Sequence, residues 1–140
     1  MTFSLVARCA RTGQGGMVIS SSSPAVAARC AHVRAGVGAV ASQNITDPAL
    51  GPLVLDQLQA GLAAPLALQA VTAERPHIDY RQVLVVDRAG ATAIHSGRSI
   101  LVALTASAAR RVKMAMSASD LKAKSGLAAT IGLDIDNSSH

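Results

Sequence analysis

The sequence predicts a single α+β domain in which antiparallel strands are layered against a pair of helices. Three observations support this fold class. Apolar and polar residues alternate in the first segments, an Asp-Pro pair opens a helical region in the middle, and two strand-like segments around a tight turn follow it. The resulting order of elements lacks the strand and helix alternation of a Rossmann fold. At 140 residues, the chain is long enough to bury one core.

The first two predicted strands form a hairpin. Residues 2–8 (TFSLVAR) alternate and are rich in strand formers, whereas residues 11–16 (RTGQGG) contain three glycines and predict a turn. Residues 17–22 (MVISSS) return as the second strand. If the two strands pair, Thr2 lies near Ser22 and Ser23, within a residue or two of register.

The middle of the chain predicts a third strand and two helices. Residues 36–43 are small and β-branched, as in a strand, and the segment before them fits either a loop or a short helix. Asp47 is placed to cap a helix that begins at Pro48 and ends at Gly61. Pro65 opens a second helix, which we expect to run to about Glu74. A hairpin then follows, with strands at 80–87 and 90–97.

Beyond residue 97 the composition changes, so we divide the chain into a domain at 1–97 and a divergent segment at 98–140. All three lysines lie in the second part. Residues 101–124 fit either a docking helix or a poorly ordered segment. We favour the helix, because apolar residues recur on one face of it: Leu101, Leu104, Ala108, Val112 and Met116. The last eight residues are predicted to be frayed.

Composition excludes several classes of function. The net charge is +5, but only 15% of the residues are charged and 1% are aromatic, so no surface for stacking nucleic-acid bases is expected. We predict no membrane span and no signal peptide, and therefore a cytoplasmic protein. The two cysteines form no metal-binding pattern, and we expect neither a metal nor a cofactor. Cys30, between Arg29 and His32, fits a small buried thiol better than a reactive thiolate.

Three stretches resemble one known family. They are TFSLVAR, SSSPAVAARCAHVRAGVGAVASQNITDPALG and DYRQVLVVDRAG. Over about residues 2–97 the chain resembles the uncharacterised bacterial family catalogued as domain of unknown function 1028, which is placed in the Ntn-hydrolase superfamily. This resemblance implies a four-layer αββα sandwich and an N-terminal nucleophile at Thr2. Residues 98–140 do not resemble the family's continuation, so the chain looks truncated and the sandwich is predicted to be incomplete at its carboxyl-terminal end.

Thr2 is the candidate catalytic residue if Met1 is removed, because it then carries a hydroxyl and a free α-amine. The unperturbed pKa of such an amine is about 7.7–8.0, so a neutral fraction could accept the hydroxyl proton through a water molecule. Ser22, Ser23, Arg29 and Asn44 are the candidate substrate-binding residues, with Asn44 able to stabilise an oxyanion. The alternative is that Thr2 simply begins a strand. Residues 1–112 contain no lysine to assist the nucleophile.

Two functions from different classes follow. The first is hydrolysis of an amide bond in a small molecule or peptide, with Thr2 as the nucleophile. The alternative is a non-catalytic protein of the same fold that binds a small ligand or serves as an oligomeric scaffold. In either case we expect a homo-oligomer that binds neither nucleic acid nor membranes.

Overall fold

A computed structural model describes residues 2–100 in full and the backbone of 104–109 and 112–117. Within these residues the chain forms eight strands, three α-helices and one 3-10 helix. The strands are β1 (Thr2–Arg8), β2 (Gly15–Ser21), β3 (Ala31–Arg34), β4 (Gly38–Asn44), β5 (Arg81–Asp87), β6 (Thr92–Ser96), β7 (Leu104–Ala109) and β8 (Val112–Ser117). The helices are α1 (Ala27–Cys30), α2 (Leu50–Gln59) and α3 (Ala64–Thr72), and the 3-10 turn is Ile78–Tyr80.

The strands form two antiparallel four-stranded sheets, in the orders β2-β1-β8-β7 and β3-β4-β5-β6. The sheets are stacked, and one apolar layer lies between them: Val6 from the first sheet, and Ala39, Ala41, Leu84 and Val86 from the second. A second layer lies between the β3-β4-β5-β6 sheet and helices α2 and α3. The α+β class predicted from the sequence is therefore confirmed.

The central strands β4 and β5 are buried on both faces. Val83 and Val85 point to the helices, whereas Leu84 and Val86 point to the other sheet. A strand covered on both faces needs no polar side, which explains the continuous apolar run in β5. The same alternation decides which polar side chains of these strands enter the space between the sheets.

The predicted hairpins and both predicted helices are present. The segment before the predicted third strand, whose sequence fits either a loop or a short helix, contains the short α1 and an additional strand, β3. Helix α2 begins at Leu50 rather than at Pro48, because Asp47 closes a turn first: its Oδ1 accepts the amide of Ala49 at 3.0 Å. Gly61 follows the helix with φ of +103°, as its place at the helix end predicts.

Gly51 fixes how closely α2 approaches the sheet. The imidazole of His32, on β3, lies against this glycine, and a Cβ built at Gly51 would overlap the ring. Gly51 itself is buried. The absence of a side chain at this position therefore lets the first turn of α2 pack directly on β3.

The helix predicted over 101–124 is wrong where the structure describes this segment. Residues 104–109 and 112–117 form β7 and β8. Strand β8 pairs antiparallel with β1, with Phe3 opposite Met116 and Ala7 opposite Val112. The sequence VKMAMS also has the period-2 alternation of a strand. The open edge of β1 presents unpaired backbone groups, which a strand can pair with and a helix cannot. The predicted frayed tail lies outside the described residues.

The ion pair between Asp47 and Arg75 joins the start of α2 to the segment after α3, with Asp47 Oδ2 at 2.6 Å from Arg75 Nη2. Burial of the Asp47 carboxyl raises its pKa, but hydrogen bonds from Arg75 and the Ala49 amide, with the charges of Arg75 and Arg81, lower that pKa by more. The pKa of Asp47 is therefore below its ordinary value. A lowered pKa in the folded state stabilises the fold above the unfolded pKa of about 3.9, and this stabilisation is lost as the pH falls below it.

We expect Asp47→Asn to lower the free energy of unfolding by about 1–2 kcal/mol at pH 7. Urea denaturation at several pH values measures this, and the difference from wild type should shrink below about pH 4. Asp79→Asn is the matched control, because the Asp79–Arg98 pair is exposed and its atoms are 3.7 Å apart. Equal losses of unfolding free energy in the two variants, or a difference from wild type that does not depend on pH, would contradict the stabilising role of the Asp47–Arg75 pair.

Candidate functional site

Thr2 lies at one end of the space between the two sheets. It is the first residue of β1 and shares a face of that strand with Ser4 and Val6, which are 0% and 1% exposed. Thr2 itself is half-buried. Its side chain therefore points toward the layer between the sheets, at the rim of that layer and accessible from solvent.

A short chain of hydrogen bonds connects Thr2 to a guanidinium. Thr2 Oγ1 lies 2.9 Å from Ser21 Oγ, its register partner on β2. Ser21 Oγ accepts the backbone amide of Ser23 at 3.1 Å, and Ser23 Oγ accepts a hydrogen bond from Arg29 Nη2. Arg29 Nη1 also donates to the carbonyl of Pro24 at 2.8 Å, which holds the side chain over this turn. Two of the predicted residues, Ser23 and Arg29, are thus linked to Thr2 through Ser21.

A second polar chain crosses between the sheets at the same end. Ser4 Oγ donates to Gln43 Oε1 at 3.0 Å, and Gln43 Nε2 donates to Gln82 Oε1. Gln82 Nε2 donates to Ser96 Oγ at 3.2 Å. Ser4 and both glutamines are buried, at 0–4% exposure. The Ser4–Gln43 bond joins the two sheets, and the other two bonds link neighbouring strands of the second sheet. Because buried amides are costly unless paired, these bonds hold the two glutamines in the layer beneath Thr2.

The other two predicted residues are placed differently. Ser22 follows the end of β2 and is exposed, one residue beyond the partner of Thr2. Asn44 ends β4 with φ of +73°, a conformation that asparagine tolerates, and its carbonyl accepts the Thr46 hydroxyl at 3.4 Å. Within residues 2–100 no hydrogen bond joins Asn44 to Thr2.

Ser21 and Gln43 belong to the site but are not among the residues predicted from the sequence. Each is one position before a predicted residue, Ser22 or Asn44. Successive side chains of a strand point to opposite faces, so an error of one residue in the predicted register selects side chains on the wrong face of the sheet. The alternation of Thr2 and Ser4 with apolar residues in β1 indicates a polar edge of the inner layer, but it does not specify which residues of β2 and β4 face that edge.

The two cysteines have different environments. Cys30 is 1% exposed and its sulfur lies 3.4 Å from Thr46 Oγ1, so the predicted buried thiol is confirmed. Cys9 follows β1 at the opposite end from Thr2 and is accessible. The Thr12 hydroxyl beside the Cys9 thiol lowers its pKa to about 7, with further contributions from the backbone amides of Thr12 and Arg11.

We expect Cys9 to react with iodoacetamide with a midpoint near pH 7, because the thiolate is the nucleophile. Cys30 should stay unmodified in the folded protein. The rate of alkylation against pH, followed by peptide mass spectrometry, measures both. Thr12→Val should move the midpoint toward that of a free thiol, about 8.5. A wild-type midpoint already at that value would contradict the prediction.

Across residues 2–100, the side chains include no group of three or more histidine, cysteine or acidic residues that could hold a metal ion. In the part of the chain that the structure describes, no helix is both long and apolar enough to cross a membrane.

Comparisons with known proteins place the chain in a family. The model of the family described as "Family of unknown function (DUF1028)" matches residues 2–130. The resemblance noted in the sequence therefore extends past residue 97, and the expectation that the chain diverges from the family there is corrected. No curated protein matches the chain.

A solved structure has the same fold. The crystal structure of protein SPO2555 from Silicibacter pomeroyi, assigned to the same family, superposes with a TM-score of 0.77 at 24% sequence identity. The match covers 81% of this chain and 51% of that protein, so the chain spans about half the length of its structural relative. With the family match over residues 2–130, these findings show that the chain belongs to the family of unknown function DUF1028.

Proposed function

We propose that this chain is an N-terminal-nucleophile amidohydrolase, folded as an incomplete αββα sandwich of the Ntn-hydrolase type, that cleaves an amide bond with Thr2. The observation that carries the proposal is the position of the Thr2 hydroxyl. It lies at the rim of the space between two stacked sheets, 2.9 Å from Ser21 Oγ and linked through Ser23 to Arg29. The layers of the fold, two sheets with helices on one outer face, support the same assignment.

The reaction requires Met1 to be removed, so that Thr2 carries the α-amine. The neutral amine accepts the hydroxyl proton through a water molecule as Oγ attacks the amide carbonyl. The tetrahedral intermediate then collapses, the amine product leaves with a proton, and an ester to Thr2 remains. Water hydrolyses this ester and restores the hydroxyl, so no cofactor is consumed.

Ser21 and Arg29 have distinct roles in this proposal. Ser21 Oγ orients the Thr2 hydroxyl, and its hydrogen bond to the Ser23 amide keeps Ser21 in place. Arg29 stays protonated and cannot act as a base, but its charge favours the oxyanion that forms on the substrate. Backbone amides are the proposed second donors to the same oxyanion, because Asn44, the last residue of β4, is on the face opposite to that of Gln43.

Two mass-spectrometric measurements test the proposal. Intact mass should show loss of Met1. Incubation with a peptide epoxyketone should then add the full mass of the reagent to Thr2, because Oγ adds to the ketone, the α-amine opens the epoxide and nothing leaves. A protein that retains Met1, or an adduct on any other residue, would overturn the mechanism.

The alternative function, a non-catalytic ligand-binding or scaffold protein, predicts no adduct. It also predicts that Thr2→Ala leaves ligand binding and assembly unchanged. The labelling experiment therefore separates the two functions.

A further inference from the structure

The end of the sandwich opposite Thr2 contains a small basic cleft. It lies where β1, β3 and β5 end, and its lining includes Arg8, Arg34 and Arg88 together with the β3–β4 turn. Thr2 and Arg8 are at opposite ends of the seven-residue β1, so the cleft is roughly 20 Å from the proposed nucleophile. We propose that this cleft binds the phosphate group of a small molecule.

Arg8 is the principal observation. It shares the inward face of β1 with Ser4 and Val6, and it makes no hydrogen bond or ion pair within residues 2–100. Its Nε is buried without a partner. Its two terminal nitrogens lie between the turns that contain Gly13 and Gly90, each 3.8 Å from where a Cβ of the glycine would be. A guanidinium fork held in this way and left unpaired is a binding group for an oxyanion.

The cleft has the size and walls that a phosphate group needs. Its volume is about 50 Å³, which is room for a few water molecules or one phosphate group. Glycines form much of the lining: Gly13, Gly15, Gly36 and Gly38. Gly36, with φ of +71°, has no atom within 4 Å of its Cβ position, so the cleft stays open beside the β3–β4 turn.

The charges around the cleft favour an anion. Arg34 is partly neutralised, since its Nη1 donates to Asp56 Oδ1 at 2.8 Å and to Gln59. Asp87 also lines the cleft, but both of its carboxylate oxygens accept backbone amides at 2.9–3.0 Å. Arg88 is exposed at the rim. Three arginines and one aspartate therefore line the cleft. Of these arginines, Arg8 is the one that lies inside the layer, and its side chain is unpaired within residues 2–100.

Titration of the ¹⁵N-labelled protein with inorganic phosphate, at constant ionic strength kept by sodium chloride, tests the proposal. Saturable shifts are expected in the amide signals of the four lining glycines, without matching shifts around Thr2. Arg8→Gln should weaken the apparent affinity about tenfold or more, because a charge-assisted pair is lost. Arg8→Lys should retain part of it, since lysine keeps the charge without the fork.

Arg98→Gln is the matched control, because it removes the same charge from a side chain that is 93% exposed and lies away from the cleft. If Arg8→Gln does not fold, Arg88→Gln at the rim gives the same test with a smaller expected loss. The proposal is overturned if wild type shows no saturable shifts, if the shifts centre on Thr2, or if Arg98→Gln weakens binding as much as the cleft variants. None of these measurements depends on Thr2 being catalytic, so the two proposals can fail separately.

Discussion

Thr2→Ala is expected to abolish the epoxyketone adduct and to lower any amide hydrolysis by roughly 10³–10⁶-fold, as removal of a covalent nucleophile does. The physical reason is that the attacking oxygen is lost while the sheets, the helices and the α-amine remain. Thr2→Ser should keep the adduct and part of the rate, because it retains a hydroxyl beside Ser21 Oγ, which lies 2.9 Å from the threonine oxygen. Adduct mass and the rate of adduct formation measure both variants.

Ser21→Ala provides the intermediate case. It removes the hydrogen bond that orients Thr2 Oγ1 but leaves the nucleophile, so we expect a loss of about tenfold in labelling rate. Ser20→Ala is the matched control, because Ser20 is the exposed residue directly before Ser21 in β2 and has no role in the proposed site. An undiminished adduct in Thr2→Ala would show that another residue reacts. Equal effects of the two serine variants would remove the role assigned to Ser21.

Asp87→Ala is expected to give the largest loss of stability, about 3–5 kcal/mol in the free energy of unfolding. Asp87 ends β5, is 6% exposed and accepts three backbone amides. Its Oδ1 accepts Ala89 and Ala91, both at 2.9 Å, and its Oδ2 accepts Ala64 at 3.0 Å. One carboxylate therefore closes the β5–β6 hairpin and caps the start of α3. Its removal leaves three amides unpaired, each hydrogen bond to a charged group contributing about 1.5–3 kcal/mol, less than additively.

Urea denaturation at pH 7 measures this effect. Asp87→Asn should lower the free energy of unfolding by less than Asp87→Ala does, because its amide oxygen can still accept hydrogen bonds. Part of the loss should remain, since its NH₂ group would face a backbone donor that the carboxylate accepts. Asp56→Asn is the control: its pair with Arg34 is solvent-exposed, with the carboxylate side chain 59% accessible, and should contribute no more than about 1 kcal/mol. A loss at Asp87 no larger than at Asp56 would contradict its double capping role.

Local signals were sufficient for most of the secondary structure. Both hairpins and the two long helices could be predicted because their turn and cap residues act on their immediate neighbours: the glycines of 13–16, Asp47 with Pro48, and Gly61. The error at 101–124 has the opposite cause. Residues 104–117 are mostly small and apolar, so they fit a helical stripe and a strand alternation equally. Only the free edge of β1, which comes from a distant part of the chain, decides between the two.

The candidate site shows the same division. The position of Thr2 at the start of a strand and its nearness to a serine-rich partner strand followed from residues 2–23 alone. The choice of Ser21 over Ser22, and of Gln43 rather than Asn44 as the residue that points between the sheets, required the register of each strand. A shift of one residue exchanges the faces of a strand, and no local pattern specifies that register here.

By itself, then, the sequence determined the α+β class, the family and the candidate nucleophile, because these depend on local patterns and contiguous motifs. The tertiary structure alone decided what covers the open edge of β1, which polar side chains meet between the sheets, and that Arg8 is left unpaired in a cleft. These features depend on strand pairing between residues far apart in the chain. No single segment contains both partners of such a pair, so the pairing cannot be predicted from local sequence alone.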